Sequence, residues 1–152
     1  MHLAHYLGLL HRSQVNLADA FRQVAVAHHG EPDVAILCRR QAQVCDRHAE
    51  LLHPFAERYA EEATDEPDRL HAELFRGTRT GGIGLLRDLH DLYLMAAECD
   101  ICWTLVGQAA RGARDEKLIE VVARCDEETA VQMQWLRTRM KQAAPQALVV
   151  AR

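Results

Sequence analysis

Residues 62–82 read EATDEPDRLHAELFRGTRTGG, and this stretch decides how the rest of the chain is assembled. On either side of it apolar side chains recur at helical spacing, whereas Pro67, Gly77, Gly81 and Gly82 are residues that end or interrupt helices. Thr64, Asp65 and Pro67 read as a helix start, so one short helix to Phe75 is expected inside an otherwise irregular connection of about residues 62–83. The glycines at 81, 82 and 84 do not make a phosphate loop, because no strand precedes them and no Gly-Lys-Ser/Thr follows.

Upstream of this connection the pattern predicts two helices. The first runs from about Leu3 to His28, with Leu3, Leu7, Leu10, Gln14, Leu17, Phe21 and Val24 on one face, and His28, His29 and Gly30 ending it. Pro32 suits the first position of the second helix. That helix carries Val34, Leu37, Gln41, Val44, His48, Leu52, Phe55 and Tyr59 on its stripe and runs to about Glu61. Pro54 removes one backbone bond, so a bend or restart in the last two turns is expected.

Downstream the third helix spans about Leu85 to Arg111, with Leu85, Leu89, Leu92, Ala96, Cys99, Trp103, Val106 and Ala110 on its main face. Leu94, Ile101 and Leu105 form a second apolar face, which calls for cover from another subunit or from the crossover. The fourth helix runs from about Asp115 to Gln142 behind Leu118, Val122, Cys125, Thr129, Gln132, Leu136 and Met140. Pro145 stops it, and the apolar tail Leu148 to Val150 is expected to dock.

Loop lengths select a topology. The first and third connections are short enough to join antiparallel neighbours. A linker of some twenty residues, by contrast, can span the ~45 Å of a thirty-residue helix and return the chain to the far end. The expectation is an all-α single domain over residues 1–152, two antiparallel helical hairpins joined by a long crossover.

Each helix also places polar side chains on its stripe. These are Gln14 on the first, Gln41 and His48 on the second, Asp100 on the third, and Glu128 and Gln132 on the fourth. A buried polar group left without a partner costs about 1–3 kcal/mol, so a shared mid-bundle polar layer is expected. At 100° per residue Asp100 lies nearer the main stripe than Glu98, which falls among Leu94, Ile101 and Cys102 and is the alternative inward carboxylate.

By helix lengths, crossover and mid-helix polar positions, the chain resembles the ferritin-like superfamily over nearly its whole length. The resemblance implies Glu on the first and third helices and Glu-x-x-His on the second and fourth, holding two metal ions. Here those places hold Gln14, Cys45-x-x-His48, Asp100 or Glu98, and Glu128 followed by Val131, so both Glu-x-x-His motifs are broken. The resemblance therefore leaves His48, Asp100 and Glu128 as a reduced ligand set for iron, manganese or zinc, with no metal at all as the equal alternative, and Gln14, Gln41 and Gln132 as network members.

Composition narrows the rest. A net charge of -4 and no basic stripe argue against nucleic acid, and no apolar run approaches the ~20 residues of a membrane span. Five cysteines, odd in number and all within expected helices, suit reduced core thiols and a cytoplasmic protein. Ser13 is the only serine and has no spaced histidine on its face, which disfavours triad hydrolysis. Three readings stay open: a reduced metal site, a metal-free scaffold acting through its surface or as a homodimer, and a thiol site for Cu(I) or redox chemistry using Cys45 with Cys99 or Cys102.

Overall fold

The computed structural model describes residues 2–61, 65 and 70–150, and among them every regular element is helical. Four long helices, α1 (Leu3–Ala27), α2 (Pro32–Ala60), α3 (Gly81–Gly112) and α4 (Glu116–Pro145), are followed by one π-helical turn, Gln146–Val150. None of the helices is long and apolar enough to cross a membrane.

The helix ends follow from local chemistry. At the end of α1 the backbone N–H of His28 still bonds the Val24 carbonyl, and Pro32 then opens α2 with Asp33 in its first turn, where the helix dipole favours an acid. Asp115 caps α4 by accepting the backbone N–H of Leu118 at 3.1 Å. The reversal between α3 and α4 is made at Arg114, whose φ of 55° is the left-handed conformation, while Gly112 remains helical.

Four local expectations are corrected. Pro54 does not restart the helix, since α2 is continuous through it; Pro54 and Glu50 both lie on the exposed side, where water can take the carbonyl that the proline leaves free. The segment 70–80 is not helical. Its Leu70, Ala72 and Leu74 line a cleft with Leu9, Ser13 and Asn16 of α1 and Met95 and Glu98 of α3, while Leu70 and Phe75 pack against the core. The expected helix start at Thr64 and Pro67 lies outside the described residues.

The third correction concerns Gly81 and Gly82, which belong to α3 rather than to the linker, so α3 starts a turn earlier than Leu85. The incoming chain crosses so close to this turn that a Cβ on Gly84 would lie 2.9 Å from the carbonyl carbon of Arg79. Last, the tail does not bury its apolar side chains: the turn Gln146–Val150 lies beside α3, yet Leu148, Val149 and Val150 are all exposed, Val149 by 82%.

The core gathers Leu7, Leu10, Leu17 and Phe21 of α1, Leu52 of α2, Leu89, Leu92 and Trp103 of α3, and Leu118 and Leu136 of α4, all fully buried. Cross-helix pairs fix which faces meet. Arg22 pairs with Asp46 and the His11 ring lies 6.0 Å from the His53 ring, between α1 and α2. Arg137 donates to the Tyr93 hydroxyl at 2.6 Å, and a Cβ on Gly107 would come within 3.0 Å of Val122 Cγ1, between α3 and α4. Arg58 and Tyr59 both donate to Asp115, and Arg139 donates to Asp33, between α2 and α4. His28 bonds Asp88 between α1 and α3.

Candidate functional site

The stripe positions of α2 and α4 bring His48 and Glu128 together. His48 is fully buried, and its Nε2 lies 3.7 Å from Glu128 Oε2, beyond hydrogen-bond distance. Its ring stands edge-on to Trp103 of α3, with centroids 5.6 Å apart. Glu128 is not free to serve His48 alone: Arg47 donates to one carboxylate oxygen and Arg124 Nε to the other at 3.3 Å. One level along, Gln132 donates to the sulfur of Cys45 at 3.4 Å, and Thr129 donates back to the Cys125 carbonyl at 2.8 Å, the usual use of a buried helical threonine.

Among the described residues none of the remaining candidates bonds His48 or Glu128. Gln14 is fully buried in α1, while Gln41 is half-buried in α2. Asp100 is half-buried and lines a groove between α3 and α4 with Tyr93, Met133, Gln134 and Arg137. The carboxyl of Asp126 is pushed up by burial and by the nearby Asp100 charge. Cys99 and Trp103 occupy the stripe of α3 that a ligand from this helix would need. Glu98 faces the cleft under the crossover, where the Cys102 thiol donates to it at 3.9 Å.

Electrostatics set what this arrangement can do. Burial pulls the His48 pKa down to about 4 against the opposing pull of Glu128, with Arg47 and Arg124 adding to the drop, so the imidazole is neutral at pH 7. Burial raises the Glu128 carboxyl, but the Arg47 hydrogen bond, the neighbouring His48 and the Arg47 charge together hold it below the usual carboxylate range. The thiols of Cys38, Cys45, Cys102 and Cys125 are each pushed up to about 12, chiefly by burial, and that of Cys99 is raised as well. All five are free and protonated, which is the inert state of a core cysteine.

Several buried polar atoms have no hydrogen-bond partner: both amide atoms of Gln14, both ring nitrogens of His48, Gln132 Oε1 and Trp103 Nε1. A metal does not follow from them. Among the described residues no three His, Cys, Asp or Glu side chains converge as ligands would. The carboxylate nearest His48 is already neutralised by two guanidinium groups, which would repel an incoming cation. Iron, manganese or zinc is therefore a poor fit to these residues.

A second polar cluster escaped the sequence reading. Asp88, fully buried, accepts from His28 Nε2 at 2.7 Å, from the Arg79 backbone N–H at 2.9 Å and from its guanidinium at 2.8 Å, while Arg79 and Arg87 also hold Asp91. It clasps the end of α1 and the incoming crossover to the start of α3. The available signal was an aspartate beside Leu85, Leu89 and Leu92 on the main stripe of the helix.

Compared with known protein families, curated proteins and solved structures, the chain matches none of them.

Proposed function

We propose that this chain is a ferritin-like bundle that holds no metal in its middle and acts through its surface as a homodimeric scaffold in a reducing, cytoplasmic setting. The observation that carries this reading is the capture of Glu128 by Arg47 and Arg124. A carboxylate that would have served a cation serves two arginines, and the histidine beside it is neutral and edge-packed on Trp103.

The ferritin-like topology is supported by the order of the side-chain pairs. Along α1 the partners on α2 fall in number, from His53 at His11 to Asp46 at Arg22. Along α3 the same holds toward α4, from Arg137 at Tyr93 to Val122 at Gly107. Both runs support antiparallel hairpins, and His28 at the end of α1 meeting Asp88 near the start of α3 supports the crossover between them, since an up-down-up-down bundle keeps those ends apart.

The dimer is supported by the second face of α3. Leu94, Ile101 and Leu105 are about half exposed, and Leu105 borders an apolar groove of about 590 Å³ lined also by Leu3, Tyr6, Val106 and Ala109. The crossover residues Leu70 and Leu74 cover the neighbouring cleft instead. The thiol reading gains no support, since soft-metal or redox chemistry needs a thiolate and burial keeps these sulfurs protonated.

Two measurements test the proposal together. Elemental analysis of protein purified with and without chelator is expected to find no stoichiometric iron, manganese or zinc that depends on His48. Sedimentation at micromolar concentration is expected to show a dimer. A tightly held metal lost in His48→Ala, or a strictly monomeric species, would overturn the corresponding half.

A further inference from the structure

We infer that His11 of α1 and His53 of α2 form a two-imidazole clip for a borderline divalent transition ion, zinc or copper(II), with Glu57 orienting the second ring. The two rings come from different helices, with centroids 6.0 Å apart and planes inclined by 45°. With Zn–N bonds of 2.0–2.1 Å, two imidazoles on one tetrahedral zinc have centroids about 5 Å apart, a spacing within reach of side-chain torsion. Imidazole is the ligand type that suits zinc and copper.

The second ring is already steered. His53 Nε2 lies 3.0 Å from Glu57 Oε1, one helical turn on. A ring proton held there by the carboxylate leaves Nδ1 as the lone pair, the arrangement found behind metal-bound histidines. His11 is half-buried and His53 exposed, so one ring is fixed by packing and the other is open to solvent.

No third protein ligand converges among the described residues, so water completes the coordination and the site is open and exchangeable. Because the clip spans α1 and α2, an ion bound there ties the first hairpin together and stabilises the folded state by linkage. The site is independent of the mid-bundle layer. It differs from the other histidine pair, His2 and His5, whose rings lie 5.7 Å apart but leave α2 out.

The test is calorimetric titration of zinc chloride into the untagged protein carrying His2→Ala and His5→Ala, with thermal unfolding followed in parallel. One zinc per chain and a raised Tm are expected, both abolished by adding His11→Ala or His53→Ala. Glu57→Gln is expected to weaken binding about tenfold, and His48→Leu to leave it unchanged. Absence of binding, binding that survives loss of either His11 or His53, or binding that disappears in His48→Leu would overturn the proposal; His53 is exposed, so its variant reads binding without a folding defect.

Discussion

His48 Nε2 stands 3.7 Å from Glu128 Oε2, yet the charge of Glu128 is balanced by Arg47 and Arg124 rather than by the imidazole. Removing the ring therefore leaves no orphaned carboxylate. What His48→Ala removes is a fully buried ring and its edge contact with Trp103, and the expected loss is about 2–4 kcal/mol from the cavity. His48→Leu fills the same space without two unpartnered ring nitrogens and is expected to be neutral or stabilising. Urea unfolding of both variants checks this, and a leucine variant as weak as the alanine one would show that the ring nitrogens have partners in solution.

The same residue gives the protein a pH dependence. Its folded pKa of about 4 lies below the ordinary 6.5, so between these values the unfolded chain binds the proton more readily. Stability from this group is present above about pH 6.5 and is lost as pH falls toward 4, by at most about 3 kcal/mol. Below the ordinary carboxylate range the lowered Glu128 and Asp115 add losses of their own. His48→Leu is expected to flatten the slope between pH 6.5 and 4.5, read from unfolding midpoints across that range.

Gln14 offers the mirror experiment on α1. Neither amide atom has a partner, and the side chain is fully buried. Gln14→Met keeps the length and removes the desolvation cost, with an expected gain of about 1–2 kcal/mol. A loss of that size would reveal an ordered water or a ligand held at the amide.

Asp88 is expected to behave in the opposite way. It is buried and bonded to both His28 and Arg79, so Asp88→Ala strips the clasp that joins α1, the crossover and α3. The expected cost is about 3–5 kcal/mol, as for other buried pairs broken on one side, and it should show in chemical denaturation.

How much of this was legible in the sequence depends on what kind of fact was sought. Pro32 and Asp115 marked helix starts because their chemistry acts locally, and the burial of Gln14, His48 and Gln132 followed from their stripe positions. Asp100 shows the limit of that method. An angular position says that a side chain is half inside, but not whether it meets α2 or the α4 groove, where Met133 and Arg137 lie. Arg47 was invisible for another reason, since a long side chain on an outward position can reach back across a helix boundary to Glu128. The crossover was misread because Leu70, Leu74 and Phe75 also fit a helical period, whereas residues 70–80 run past α1 and α3 without forming a helix.

The dimer is the prediction on which the proposed role depends most. Ile101 is 51% exposed at the centre of the second face of α3, between Leu94 and Leu105. Ile101→Glu adds a charge that solvent accommodates in the monomer at a cost within about 0.5 kcal/mol, whereas in a dimer packed on this face the same charge is buried without a partner at several times that cost. Sedimentation is therefore expected to move from dimer to monomer with the unfolding midpoint of the dilute protein unchanged. Exposed Ile36 of α2, at 56%, provides the control, and Ile36→Glu is expected to leave the dimer intact. A dimer that survives Ile101→Glu and dissociates with Ile36→Glu would move the interface to α2.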